Sequence, residues 1–361
     1  KICNKKMLKS LLRPSTVRAS PLGGARSIIT GPRFTQVVQS LPSIVPFVAP
    51  DEIERSRGLP FAVRLGANEL TFGPSPRAVE AMAAAASSVW MYGDPKSHML
   101  RSALADHHGV NMANIVVGEG VDGLLAYASA LLIAPGDALV TSHGTYPTLN
   151  YFVAGRGGTL HTVPYNASDD RQDLDALLAK AREVDAKVLY VVNPCNPSGT
   201  WHSAARLEAL VEALPPGCLL LLDEVCSYYP ITRHTYQLQH HNPATSYDSA
   251  TSSPLTHRSS LIFTPSHLQP EPRHLLHQAY HELGVEFDAN AKVAVDDLRV
   301  LRLRTFSKGY GLAGCRIGYA LGAAEIISAF DKIRNHFGVG RISQAAALAA
   351  LADQAYLQEI L

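Results

Sequence analysis

Between residues 114 and 222 the chain alternates short apolar or β-branched runs with longer segments of helical periodicity. The runs at 114–117, 138–141, 159–163, 187–192 and 218–222 read as strands, and 124–132, 174–184 and 204–214 read as helices. Two further runs, 300–306 with its interleaved arginines and 317–321, extend the strand set. Strands that are apolar toward both faces need cover on both. That requirement predicts an α/β fold, a mostly parallel sheet sandwiched by helices. In such sheets ligands collect beyond the carboxyl ends of the strands.

Those ends carry unusual residues. Asn193-Pro194-Cys195-Asn196-Pro197-Ser198-Gly199-Thr200 follows one strand, Asp223-Glu224 the next, and Ser307-Lys308 a third. Each has an ordinary explanation alone: a tight turn, an N-cap or surface acid, an exposed loop lysine. Their recurrence at successive strand ends favours a site. At 305–316 a glycine-punctuated turn presents Lys308, with Arg316 eight residues on. A lysine amine so placed can form a Schiff base with a carbonyl. Ser307 and Arg316 offer hydroxyl and guanidinium contacts suited to a phosphate.

Gly118-Glu119-Gly120-Val121-Asp122-Gly123 is a literal G-x-G-x-x-G between strand and helix, the dinucleotide fingerprint. A nicotinamide site also wants an acid at the end of the next strand. Here Asp137 precedes that strand, and Ser142 and His143 follow it. The dinucleotide reading is set aside, but backbone N–H groups at a helix N-terminus still make an anion site.

At 361 residues the chain can hold two domains. A formal net charge of +1 gives no reason to expect nucleic acid as a partner, and no apolar run is long enough to span a bilayer. The five cysteines are scattered without a CxxC pair, which points to a reducing compartment and no structural zinc. Residues 1–50 contain no Asp or Glu, while Lys9, Arg13, Arg18, Arg26 and Arg33 are spaced among Ser and small apolar residues. That pattern resembles a mitochondrial or other organellar transit peptide; the alternative is a cytoplasmic protein with a basic tail. The segment at about 231–290 is rich in His, Ser, Thr, Pro and Gln and reads as loop or disorder, either an insertion or a translated stretch absent from the mature protein, its histidines without metal-ligand spacing. Helices are expected at 51–57, 77–87 and 98–107, a strand at 61–65, and one long Ala-rich helical stretch from 323 toward 361 that stops without a cap.

Taken in order, Asn193–Thr200, Asp223-Glu224 and Ser307–Arg316 resemble the class I/II (fold type I) pyridoxal-phosphate aminotransferases, most nearly the histidinol-phosphate aminotransferase branch. The similarity runs from 47 to 361, interrupted by 231–290. It implies that Lys308 forms the Schiff base with pyridoxal 5'-phosphate and shuttles the substrate proton. It also implies that Asp223 pairs with the ring nitrogen, Asn196 bonds the ring 3-oxygen and Tyr146 stacks on the ring. Ser307, Arg316 and the amides of Gly120, Val121 and Asp122 would hold the phosphate. Tyr92 would reach the neighbouring subunit's phosphate, which implies a homodimer, and Asn68 matches the substrate-side segment.

The resemblance divides the chain into a basic segment (1–46), an N-terminal arm (47–76), a large cofactor-binding domain (77–325) and the start of a small domain (326–361). It departs from the family at Cys226, where a tyrosine usually shares the ring oxygen, in the 231–290 insertion, and in ending before the family's substrate-carboxylate arginine. The expected reaction is amino-group transfer between an amino acid, or histidinol phosphate, and a 2-oxo acid. The alternatives are a lyase or decarboxylase on the same fold, or a catalytically impaired dimeric scaffold.

Overall fold

A computed structural model of the chain describes residues 33–42, 48–62, 66–225 and 294–360. Its helices are α1 Gln36–Ser40, α2 Pro50–Arg57, α3 Pro76–Ala86, α4 His98–His108, α5 Gly120–Leu132, α6 Thr148–Gly155, α7 Leu174–Glu183 and α8 Ala204–Glu212, then α9 Ala324–Phe330, α10 Arg341–Ala352 and α11 Gln354–Ile360. The strands are β1 Ile115–Gly118, β2 Ala138–Ser142, β3 Thr159–Val163, β4 Val188–Val192, β5 Leu219–Asp223, β6 Val300–Thr305 and β7 Gly318–Gly322.

The strands form one sheet in the order β1-β7-β6-β5-β4-β2-β3. All pairings are parallel except those of β7, which runs antiparallel to β1 and to β6. The expected sandwich is present, and strand alternation explains it. Val188, Tyr190 and Val192 join Leu221 and Leu303 beneath Leu124 and Leu125 of α5. The intervening Leu189 and Val191 join Leu220 and Leu222 against Leu177 of α7 and Leu207 and Leu210 of α8. A third cluster packs Leu100 and Leu104 of α4 and Ala346 and Ala350 of α10 onto Ile115, Phe306 and Tyr319. Each fully buried leucine in these layers contributes about 1.5–3 kcal/mol.

Several expectations are corrected. The 323–361 stretch is three helices, because residues 331–340 leave the helical path. There the Asn335 amide donates to Tyr127 Oη (3.0 Å), and Gly338 lies against the Glu119 side chain, which a Cβ would displace. Helix α5 starts at Gly120 rather than 124, and α6, unforeseen in the sequence, follows Pro147. Phe61 and Ala62 are not in a strand, and 63–65 lie outside the described residues. So do Cys226 and the whole 231–290 segment.

Candidate active site

The carboxyl ends of β4, β5 and β6 and the start of α5 converge on a cavity of about 610 Å³. Eight of the residues singled out from sequence line it: Val121, Asp122, Tyr146, Asn196, Asp223, Ser307, Lys308 and Arg316. Gly120 stands behind Arg316: its φ is +73°, and a Cβ there would lie 2.7 Å from Arg316 Nη2. Only glycine lets that guanidinium close on the helix terminus. Asn68 is not on the cavity wall, whereas its neighbours Ala67 and Glu69 are. Tyr92 lies away from the cavity on the surface, its ring 4.8 Å from that of Phe337.

One end of the cavity is built for an anion. The first turn of α5 presents free N–H groups, Arg316 Nη2 sits 3.1 Å from Asp122 Oδ2, and Ser307 stands at the end of β6. Arg316 itself is held in the left-handed region (φ +46°), with Nη1 donating to Ala313 O at 3.1 Å. Thr305 Oγ1 accepts from the Ser307 amide (3.0 Å) and donates to Ser307 Oγ (2.9 Å). Tyr146 Oη donates to Asp122 Oδ1 (3.0 Å), and burial, with Asp122 adding to it, pushes the phenol up to about 12.

The other end holds a buried acid. Asp223 is 1% exposed; its Oδ2 accepts from Tyr190 Oη (2.7 Å) and its Oδ1 from the Val225 amide (3.0 Å). Burial pushes its carboxyl up to about 6 against those two donors. Glu224, the next residue, shows the contrast. It is buried too, which alone would raise it, but Arg304 and Arg302 outweigh burial and hold it below the usual range. Arg302 Nη2 and Arg304 Nε reach its oxygens at 2.8 and 2.9 Å. Among the described residues, Asp223 has no such cation bonded to it and opens onto the cavity.

Lys308 Nζ donates to Ala67 O at 2.9 Å, across a segment in which Ala67 and Asn68 both have positive φ (64° and 51°). The Asn-Pro run is pinned to the same sheet edge: the Asn193 amide donates to Asp223 O (2.8 Å) and Asn193 Oδ1 accepts from the His202 amide (2.7 Å). The donor set fits a group with phosphate at one end and a protonated ring nitrogen at the other. Sequence reasoning missed Tyr190, the Ala67 carbonyl and the Glu224–arginine cluster. A phenol within the aliphatic run Lys187-Val188-Leu189-Tyr190-Val191-Val192 was the available signal for the first.

Comparison with known proteins decides the family. The sequence model of aminotransferase class I and II matches residues 62–228 and 272–360. The chain belongs to that family. This aminotransferase is 31% identical over 327 residues to histidinol-phosphate aminotransferase 1 of Bacillus cereus, covering 91% of the chain and 74% of the relative. It is 29% identical over 350 residues to the histidinol-phosphate aminotransferase of Moorella thermoacetica, covering 96% and 77%. A crystal structure of histidinol-phosphate aminotransferase from Sinorhizobium meliloti in complex with pyridoxal-5'-phosphate superposes with a TM-score of 0.72 at 42% identity, covering 92% of this chain and 75% of that one.

A Thermus thermophilus aspartate aminotransferase variant, at TM-score 0.65 and 20% identity, shares the fold. The reaction of this aminotransferase is transamination; these relatives favour neither a lyase or decarboxylase nor an impaired scaffold. They are bacterial and give the organellar expectation no support, and residues 1–32 lie outside the described ones. Among the described residues no helix is long and apolar enough to cross a membrane.

Proposed function

We propose that this aminotransferase moves an amino group between histidinol phosphate and a 2-oxo acid, with 2-oxoglutarate the first acceptor to test, and that pyridoxal 5'-phosphate is held in the cavity at the strand ends. One observation carries the cofactor reading. A buried carboxylate to which no cation among the described residues is bonded shares a cavity with a helix terminus, an arginine and a serine suited to phosphate. The substrate reading rests on the names of the relatives.

Pyridoxal phosphate, when bound, supplies an electron sink for the charge left on the substrate carbon. The rest falls to the chain. Asp223 would hold the ring nitrogen protonated, in an ion pair that burial would strengthen. Ser307, Arg316 and the amides of Gly120, Val121 and Asp122 would hold the phosphate, Asn196 would bond the ring oxygen, and Tyr146 would stack on the ring. Lys308 would anchor the group through its amine and would hold and move the proton at the substrate carbon; the Ala67 carbonyl accepts from that amine. The segment carrying Ala67, Asn68 and Glu69 faces the substrate side. The partner subunit's Tyr92 completes the phosphate site in a homodimer.

Two measurements test this. The visible absorption of the chain, dialysed after loading with pyridoxal phosphate, is compared with Lys308→Ala; retention by the parent and loss in the variant are expected. The loaded parent is then given histidinol phosphate and 2-oxoglutarate, and glutamate should form. Parent and variant spectra that both match free cofactor sink the site assignment. Glutamate formation with aromatic amino acids but not with histidinol phosphate sinks the substrate.

A further inference from the structure

Tyr190 lies on β4, one strand away from Asp223 on β5. The register places Val192 directly opposite Asp223, and Tyr190 opposite Leu221. Tyr190 is therefore the diagonal neighbour, and a tyrosine is long enough to carry its hydroxyl along the sheet to the carboxylate. The oxygens meet at 2.7 Å with both residues fully buried. The strand beneath is locked as well, since Thr141 Oγ1 of β2 donates to the Tyr190 carbonyl at 3.0 Å.

We propose that Tyr190 is a positioning residue for the cofactor site: its hydroxyl donates to Asp223 Oδ2 and so keeps that carboxylate charged and aimed into the cavity. This rests on the cofactor reading above. A phenylalanine would fill the same core space beneath α5, so packing does not account for the hydroxyl. The phenol is itself held well above its usual value, by burial first and by Asp223 next, so it remains the donor of the pair.

The surrounding charges make such a donor matter. Asp122 of α5 and Glu224 both disfavour a negative Asp223, while Tyr190 and the Val225 amide favour it. Tyr146, ahead of α6, points its hydroxyl at Asp122. The positive groups on the cavity wall, Lys308 and Arg316, bond to Ala67 O and to Asp122 and Ala313 O. Arg302 and Arg304 are taken by Glu224. A short hydrogen bond to an ionised acceptor is about twice as strong as a neutral one. Removing it should raise the pH at which Asp223 loses its proton by about one unit, which weakens cofactor binding about threefold midway between the two inflections and about tenfold below both.

The experiment follows the Asp223 carboxyl carbon by NMR through a pH titration, assigned with Asp223→Asn, in the chain without added cofactor. Pyridoxal phosphate affinity is measured across the same pH range. In the parent the carbon should titrate near pH 6, and in Tyr190→Phe at higher pH, with affinity falling at the matching pH. In the Asp223→Asn background Tyr190→Phe should leave the pH dependence of affinity unchanged. Site-specific 3-fluorotyrosine at 190 keeps the packing and strengthens the donor, so it should move the inflection down even if Tyr190→Phe fails to fold.

An unchanged inflection with 3-fluorotyrosine overturns the proposal. So does an equal loss of affinity from Tyr190→Phe with and without the Asp223 carboxylate, which would make Tyr190 a packing residue. Absence of cofactor binding by the parent at every pH overturns the cofactor reading and this role with it. The NMR titration separates that failure from a failure of the hydroxyl–carboxylate link.

Discussion

Asp223 and Glu224 are adjacent acids, both buried, with opposite electrostatics. Strand alternation turns one toward the cavity and the other toward two arginines. For Asp223 the consequence is measurable as stability. Its folded value of about 6 exceeds the ordinary 3.8, so between those pH values the native chain binds the proton more tightly than the unfolded chain. Its contribution is therefore most favourable below the window and is lost as pH rises through it, by about 3 kcal/mol. Asp223→Asn removes the titration. The difference in chemical-unfolding free energy between variant and parent, without added cofactor, should move in the variant's favour by about 2.4 kcal/mol from pH 4 to pH 7. A pH-independent difference would show that Asp223 is not the titrating group.

At the scale of elements, the turn after β6 aims Lys308 and depends on a backbone contact with a distant segment. Gly311 has φ +66°, its amide donates to Lys308 O (2.8 Å), and a Cβ would lie 2.5 Å from Gly73 backbone. Gly311→Ala should cost at least about 2 kcal/mol in urea unfolding and reduce cofactor retention, since the lysine turn must shift. Glu224 ties the end of β5 to β6 through Arg302 and Arg304. Truncation to alanine removes the carboxylate that buried Arg304 and half-buried Arg302 share and should cost about 3–5 kcal/mol. A cost under about 1 kcal/mol would mean water replaces the carboxylate.

Most of these elements were legible in the sequence, because strands covered on both faces must be apolar throughout. The antiparallel direction of β7 was not, because an apolar run carries no sign of direction. Nor was the break at 331–340. Its partners are Glu119, just before α5, and Tyr127 on α5, the latter 208 residues before the Asn335 amide that bonds it.

For the whole molecule, the surface around Tyr92 points to self-association. Trp90 and Tyr92 are 80% and 78% exposed, with Val89 and Phe337 beside them in an apolar patch. Arg341 Nη2 donates to Tyr92 O (2.7 Å) and Gln344 Nε2 to Asp94 O (3.0 Å), so α10 holds this loop outward. A patch of large aromatics is what an interface core requires. If the proposed homodimer forms through this patch, the parent should sediment as a dimer, and the double variant Trp90→Asp, Tyr92→Ser should sediment as a monomer and release pyridoxal phosphate more readily. A parent that is monomeric at micromolar concentration would remove the partner subunit's Tyr92 from the phosphate site.

The sequence by itself determined the layered α/β class and the presence of Lys308, Asp223, Asn196 and Arg316 at strand ends, since hydrophobic cover and strand polarity are local consequences of residue order. It could not determine what those side chains meet. That the Asp223 carboxylate is bonded by a phenol from the next strand, that Glu224 takes both arginines, and that Lys308 reaches the Ala67 carbonyl 241 residues away are decided by register and by contacts distant in the chain. Residue order fixes which groups lie on one strand face; only the packed sheet fixes how far apart they stand and which charges stay unpaired.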